Sequence, residues 1–344
     1  MTTHQPIGGL MAAEIAEQPA VLAALLADQS GHIAELGRTI RNRAPRFVLF
    51  AARGTSDHAA LYAKYLVETQ LALPAGLVSP STMTLYGAQP ALSDVLFIAV
   101  SQSGGSPDLV DSLRTARRCG ALTLAVTNNP QSDLARAAEL SADVCAGTEQ
   151  AVAATKTYTA ELLALYLLVA AVAGIDGAGV AAPLADAAHV TLQHADRADD
   201  AADRYRFAQR LVITARGYSY PTAREAALKL METSYLSAQA FSGADLLHGP
   251  MAMVDAAVPT IVVRTPGVGG TAMDPVIERL TTAGADVLLV GPESGLPIAA
   301  DGIAAELLPI LEILPLQQLA WRLALNRGGD PDAPRGLRKV TQTY

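Results

Sequence analysis

Three groups of residues have the types and spacing to do chemistry. The first is Ser101-Gln102-Ser103-Gly104-Gly105-Ser106, placed between an apolar run at 95–100 and a helical stretch that continues through Arg118. Hydroxyls, glycines that admit close backbone approach, and the free N–H groups of a helix start together suit a phosphate. Gly54, Thr55 and Ser56 stand in the same relation to the preceding apolar run at 46–51. Ordinary N-capping would account for one such serine but not for the whole cluster. No Walker-type Gly-Lys-Ser/Thr follows, so a nucleoside triphosphate is not expected.

The second group is Glu225, Lys229 and Glu232 at i, i+4 and i+7 in a helix predicted over 221–235, so they share one face. Ala226, Ala227, Leu228, Leu230 and Met231 fill most of the remainder. On a mostly buried helix, a carboxylate partly desolvated beside a lysine is a tuned base. The competing reading is a solvated face with an ion pair worth only about 0.3–0.5 kcal/mol. The third group is His248, in Leu246-Leu247-His248-Gly249-Pro250, where a Gly-Pro turn replaces regular helix. A loop histidine serves as acid or base near neutral pH. His58, just after the Gly54-Thr55-Ser56 turn, is a weaker candidate for the same region.

The elements that carry these groups read as alternating strand and helix. Apolar runs at 46–51, 95–100 and 121–126 are separated by helical stretches. That pattern predicts α/β architecture, with a parallel sheet covered on both faces. The order then recurs. Residues 211–214 precede Ala215-Arg216-Gly217-Tyr218-Ser219, which echoes Ala52-Arg53-Gly54-Thr55-Ser56 at an offset of 163; 260–263 echoes 97–100 at the same offset, and 285–290 echoes 121–126 at 164. Three matched strands at offsets of 163 to 164 predict two copies of one unit. Residues 12–40 read as helix with Pro19 at a break or first turn, 155–203 as largely helical, and 315 onward as a final helix. The tail from Asp330 is rich in Pro, Gly and charge; such a tail is often loose, although Arg335, Arg338 and Lys339 could close over an anion.

Composition narrows the function classes. The 344 residues are 51% hydrophobic and 17% charged, so the chain can bury a large core. The net charge of −8 argues against a general nucleic-acid binder. Two cysteines, Cys119 and Cys145, are too few for a disulfide scaffold or a structural zinc site. The N-terminus lacks the pattern of a signal peptide, and the longest apolar run, 162–173, is shorter than the ~20 residues a span needs. The expectation is a cytoplasmic protein with no membrane partner, no metal and no cofactor.

In this order, the motifs resemble the sugar isomerase (SIS) family, and within it the isomerase half of glucosamine-6-phosphate synthase. The resemblance rests on Gly54-Thr55-Ser56, on the 101–106 loop, and on Gly147-Thr148-Glu149 followed by Ala154-Thr155-Lys156. It rests also on 226–235 (AALKLMETSY), 247–251 (LHGPM), 334–339 (PRGLRK) and 14–19 (EIAEQP), and so covers nearly the whole chain. It implies two tandem SIS domains, each a doubly wound, flavodoxin-like parallel sheet flanked by helices. The expected division is an N-terminal helical segment (1–34), a first SIS domain (35–175), a helical linker (176–200), a second SIS domain (201–328) and a tail (329–344) that closes the site.

The resemblance also implies roles. Thr55, Ser101, Gln102, Ser103 and Ser106, with Gly54 and Ser56 beside them, would hold a sugar phosphate. Glu232 would move a proton between C1 and C2. His248 would open the ring, Lys229 would support the carboxylate and sugar hydroxyls, and Lys339 matches a Schiff-base lysine. Val152 matches a backbone contact near the sugar, and Ala154 and Glu225 complete the substrate-binding set. Ala154, Met231 and Gly105 depart from the synthase pattern, where a serine, a basic and an acidic residue are usual. Set beside the synthase, these residues match the isomerase half, and no residue that releases ammonia from glutamine is expected among them. A glucosamine-6-phosphate deaminase is therefore expected, with a fructosamine-6-phosphate deglycase or a galactosamine-6-phosphate deaminase/isomerase as alternatives within enzymes, and a non-catalytic phosphosugar-sensing module as the alternative outside them. A homodimer is expected, with His248 able to serve the partner's site.

Overall fold

The six apolar runs form the inner strands of two parallel sheets, seen in a computed structural model that describes residues 6–339. Helix α1 (Gly9–Arg43) opens the chain. The chain divides into two compact units. One comprises Ala20–Glu149 and Lys156–Ala182; the other comprises the chain up to Pro19, Gln150–Thr155 and Pro183–Lys339. They are called here the first and second units, after their sheets.

In the first unit, β1 (Phe47–Ala51), α2 (Thr55–Gln70), β2 (Ala75–Leu77), α3 (Pro80–Thr84), β3 (Val95–Ser101), α4 (Pro107–Arg118), β4 (Leu122–Thr127), α5 (Asp133–Ala137) and β5 (Leu140–Asp143) alternate strand with helix. The sheet order is β2-β1-β3-β4-β5, all parallel, with Phe50 opposite Ile98 and Ile98 opposite Leu124. Strands covered on both faces need no polar alternation, and every residue of β4 is buried. Helices α6 (Lys156–Ala173) and α7 (Gly177–Ala181) complete the unit. Helix α6 has the length and apolarity of a membrane span, yet residues 156–170 are all buried in the protein's own interior.

In the second unit, α8 (Leu184–Leu192) and α9 (Ala195–Tyr205) lead to β6 (Arg210–Ala215), α10 (Tyr220–Ser234), β7 (Ser237–Ser242), α11 (Gly243–Leu247), β8 (Thr260–Val263), α12 (Val268–Thr271), α13 (Asp274–Thr282), β9 (Val287–Gly291), β10 (Leu296–Pro297) and α14 (Leu308–Asn326). The sheet order is β10-β9-β8-β6-β7. Matching β6 to β1, β7 to β2, β8 to β3, β9 to β4 and β10 to β5 gives the first sheet's order read from the other edge. Both are the 2-1-3-4-5 doubly wound arrangement, which places ligands at the carboxyl ends of the strands. The repeat expected from the offsets of 163 and 164 is therefore an architectural repeat.

Two helix expectations change. Pro19 lies inside α1 and does not break it, and the last helix begins at Leu308, so that Pro315 is internal. An internal proline costs about 3 kcal/mol in lost bonding and clash. Helix α14 bears that cost because residues 308–320 are all buried, with Pro309 at the position in the first turn where proline fits.

Candidate active site

The strand ends of the first unit form a hydroxyl-lined loop. Gly54 has φ 55° and ψ −129°, a conformation open essentially to glycine, and it turns the chain from β1 into α2. Gly104 has φ 61°, and an added Cβ there would lie 2.4 Å from Ser132 Cβ and 3.0 Å from Thr127 Oγ1. The 101–106 loop is thus pressed against the β4–α5 connection. Backbone bonds pin it there: Asn128 N donates to Gln102 O at 3.2 Å, and Leu134 N to Gly104 O at 3.1 Å. Within the loop, Ser101 Oγ accepts from Gly104 N at 3.2 Å and Ser103 Oγ from Gly105 N at 3.3 Å. Ser106 occupies the N-cap position of α4, but its hydroxyl makes no capping bond. N-capping therefore does not explain Ser106.

Ser56 is committed elsewhere. Its hydroxyl donates to Glu161 Oε1 of α6 at 2.8 Å, with both residues buried. The second unit repeats this device. Glu312 of α14 accepts from Ser219 at 2.7 Å, Thr265 at 2.7 Å and Thr222 at 3.0 Å. Burial pushes the Glu312 carboxyl above its ordinary range, although the three hydroxyl donors pull the other way. Glu161 and Glu312 were not singled out from the sequence. The available signal was a lone carboxylate within each long apolar helix.

Glu225, Lys229 and Glu232 lie together on α10, as their spacing required. Lys229 Nζ donates to Glu232 Oε2 at 2.6 Å and sits 3.3 Å from Glu225 Oε1. The face is not solvated: the side chains of Glu225 and Lys229 are 0% and 1% exposed, and that of Glu232 is 23% exposed. Burial lowers the lysine's proton affinity, but the two carboxylates raise it further, and the net shift is upward. The ammonium is therefore a fixed cation. Glu232 is the member of the three that solvent or a ligand can reach.

Val152 and Ala154, both half-buried, lie in a segment tied down within the second unit. Glu14, buried in α1, accepts from the backbone N–H groups of Gln150 and Ala151, the latter at 3.2 Å. Gln317 Nε2 donates to Thr155 O at 3.3 Å. The tail reaches the same segment, with Lys339 Nζ donating to Ala151 O at 2.6 Å. Within the described residues the tail is also anchored near its start. Asp332 accepts from Leu10 N at 2.9 Å and Met11 N at 2.8 Å, and Asp330 accepts from Gly8 N at 3.3 Å. His248 differs: it is exposed at the end of α11, beside Gly249 at φ 136°. Among the described residues its ring makes no hydrogen bond to Glu225, Lys229 or Glu232. His58 is buried in α2. Among the described residues, no group of three or more His, Cys, Asp or Glu side chains has the geometry to hold a metal.

The geometry can be set beside known proteins. The profile described as the SIS domain matches residues 43–171 and 205–301. Glutamine–fructose-6-phosphate aminotransferase [isomerizing] of Methanothermobacter thermautotrophicus is 33% identical over 96% of this chain, which spans 56% of that relative's length. The C-terminal domain of glucosamine-fructose-6-phosphate aminotransferase from Francisella tularensis is 25% identical, with a TM-score of 0.83 over 94% of this chain and 98% of that one. Glucosamine-6-phosphate deaminase from Thermotoga maritima superposes with a TM-score of 0.75 over 94% of this chain and 100% of that one; at 21% identity, this likeness concerns the fold.

Proposed function

Because this chain belongs to the SIS domain family and is similar along its length to part of the isomerizing glutamine–fructose-6-phosphate aminotransferases, we propose that it is a glucosamine-6-phosphate deaminase. The observation that carries the reading is the α10 triad, in which a fixed buried lysine grips one oxygen of a carboxylate that is itself partly open. Such a carboxylate is a positioned base. The relatives' name joins an amino group to fructose 6-phosphate with isomerisation, which is chemistry at C1 and C2 of the same kind of sugar.

In the proposed reaction the 101–106 loop and Thr55 hold the phosphate. The ring opens with His248 as acid or base. Glu232 takes the proton from C2; the electron pair of that bond forms a C1–C2 double bond as the C1–O1 π pair moves onto O1, which takes up a proton. Return of a proton to C1 leaves an imine at C2. Water adds to that carbon, the C–N bond breaks, and ammonia leaves with fructose 6-phosphate. Atoms balance with water as the only co-reactant. Lys229 holds Glu232 in place, and Val152, Ala154 and Glu225 shape the sugar site. Lys339, which donates to Ala151 O, is read as the amine that would meet an open-chain ketose. The family resemblance assigns His248, exposed at the end of α11, to the site of a second copy, and hence a homodimer.

The test is ammonia release from glucosamine 6-phosphate with fructose 6-phosphate as co-product, repeated with galactosamine 6-phosphate and a fructosamine 6-phosphate. Glu232→Gln is expected to abolish turnover and keep phosphosugar binding. Turnover retained by that variant would remove Glu232 as the base. Phosphosugar binding with no exchange of the C2 proton in wild type would favour a sensing module.

A further inference from the structure

Asp108 places a buried carboxylate at the mouth of the phosphate loop, where its sign is wrong for the proposed ligand. It lies in the first turn of the twelve-residue helix α4, directly after Ser106 and Pro107, and is 3% exposed. Its Oδ1 accepts from Leu109 N at 2.9 Å. A carboxylate there suits the helix dipole, but it also repels a phosphate dianion approaching the same N–H groups. The repulsion would be felt strongly because the group is out of water.

Arg53 cancels that charge. Its Nε and Nη2 lie 2.9 and 2.7 Å from Asp108 Oδ2, across 55 residues of sequence. The guanidinium has five N–H donors in a rigid plane, and this pair uses two of them. Its side chain is 48% exposed, against 2% for Asp108, so the guanidinium is reachable from solvent while its partner is not. Arg53 also immediately precedes Gly54 and Thr55. The fork therefore ties the Gly54 turn to the start of α4, and the two hydroxyl-bearing loops of the first unit are held by one ion pair.

The equivalent position in the repeat, Arg216, keeps the arginine, but the strand-end residues there differ. Ser101, Gln102 and Ser103 correspond to Arg264, Thr265 and Pro266 at the offset of 163, and Thr265 is occupied by Glu312. Arg264 pairs with the exposed Asp274 and not with a buried carboxylate. The buried-acid and exposed-arginine pair thus belongs to the loop that keeps its serines.

We propose that Arg53 is a phosphate-recognition residue of the 101–106 loop, held in place by Asp108, and that the pair sets the preference for phosphorylated over neutral sugars. This rests on reading that loop as the phosphate site. Arg53 neutralises the one buried carboxylate at the helix start and offers its remaining N–H groups to the phosphate oxygens. Asp108 is its positioning residue.

The experiment measures binding of glucosamine 6-phosphate, glucosamine and inorganic phosphate by calorimetry across a salt series, with thermal melts of each variant as a control on folding. Arg53→Met is expected to weaken glucosamine 6-phosphate at least tenfold, leave glucosamine within twofold, and flatten the salt dependence, because a charge contact has been lost. Arg53→Lys should recover part of the affinity, having the charge without the fork. Arg53→Met/Asp108→Asn removes the buried orphan charge, so it should fold even where Arg53→Met does not, and should bind better than Arg53→Met while remaining weaker than wild type. Wild-type affinity and salt slope in the double variant would overturn the proposal. Ser101→Ala/Ser103→Ala separates the two readings. If that variant loses phosphosugar binding while Arg53→Met/Asp108→Asn keeps it, the loop reading stands and the role of Arg53 falls. If the serine variant binds as wild type, the loop reading itself falls.

Discussion

The guanidinium of Arg335 lies over the ring of Tyr235, 4.1 Å from its centroid, while the backbone N–H of Arg335 donates to Tyr235 Oη at 2.9 Å. Tyr235 caps α10 in the left-handed conformation, φ 55°, three residues after Glu232. Glycine usually fills that position, and a side chain there costs about 1–2 kcal/mol. The contact with the tail offsets the cost. One residue therefore terminates the helix that carries the proposed base and anchors the tail that carries Lys339.

Tyr235→Gly should separate the two roles. Relief of the left-handed strain and loss of the ring contact act in opposite directions, so the unfolding midpoint is expected to move little. The tail, by contrast, should be cut by trypsin at Arg335 and Arg338 several-fold faster than in wild type. Tyr235→Phe keeps the stack and loses only the hydroxyl, and should fall between. Equal cleavage rates in all three proteins would show that the stack does not hold the tail.

The inner framework was legible from composition because of where each strand sits. Strands β1, β3, β4, β6, β8 and β9 are interior to their sheets and are continuous apolar runs. Strands β2, β5, β7 and β10 are the four sheet edges, short or polar (Ser237-Ala238-Gln239-Ala240-Phe241-Ser242 in β7), and they gave no such run. An edge strand has a neighbour on one side only and need not be apolar throughout. The same divide holds for the site. Glu225, Lys229 and Glu232 meet by helical spacing, which a sequence displays. Arg53 with Asp108, Lys339 with Ala151 and Glu312 with Ser219 meet across many residues of chain, and only the folded sheets bring them together. The prolines misled for a related reason: a local rule for helix ends yields where a whole helix is buried, as α14 is.

Glu312 should make stability depend on pH with a definite sign. Its carboxyl is raised above the ordinary range in the folded chain, chiefly by burial. The folded protein therefore holds this proton where the unfolded chain has released it. The contribution is complete below the unfolded carboxyl's titration and is lost as pH rises through the folded one. Glu312→Gln has no such proton. It should be less stable than wild type at pH 5, by about 1 kcal/mol for a disturbed hydroxyl bond. That gap should narrow toward pH 8. Urea midpoints of both proteins at pH 5, 6, 7 and 8 measure it, and a gap that widens with pH would mean that the folded carboxyl is not raised.

Lys229 is the group whose loss the fold should tolerate least. It neutralises Glu225, which is fully buried, and it binds Glu232 at 2.6 Å. Lys229→Met keeps the length and apolar stem but removes the cation 3.3 Å from the buried Glu225 carboxylate. Removing one partner of a buried pair costs about 3–5 kcal/mol, because the other charge remains out of water. Lys229→Met/Glu225→Gln removes that charge and should regain at least about half of the loss, since an amide costs far less than a buried carboxylate to leave poorly paired. Denaturant unfolding of wild type, the single and the double variants gives the three stabilities. A loss below about 1 kcal/mol in Lys229→Met would show that Glu225 does not depend on the lysine for its charge balance. A double variant no better than the single would show that the lysine stem, and not its charge, is what α10 depends on. Because Glu232 is the partly exposed end of the same chain of contacts, recovery of stability in the double variant without recovery of turnover would separate the lysine's part in folding from its part in holding the base.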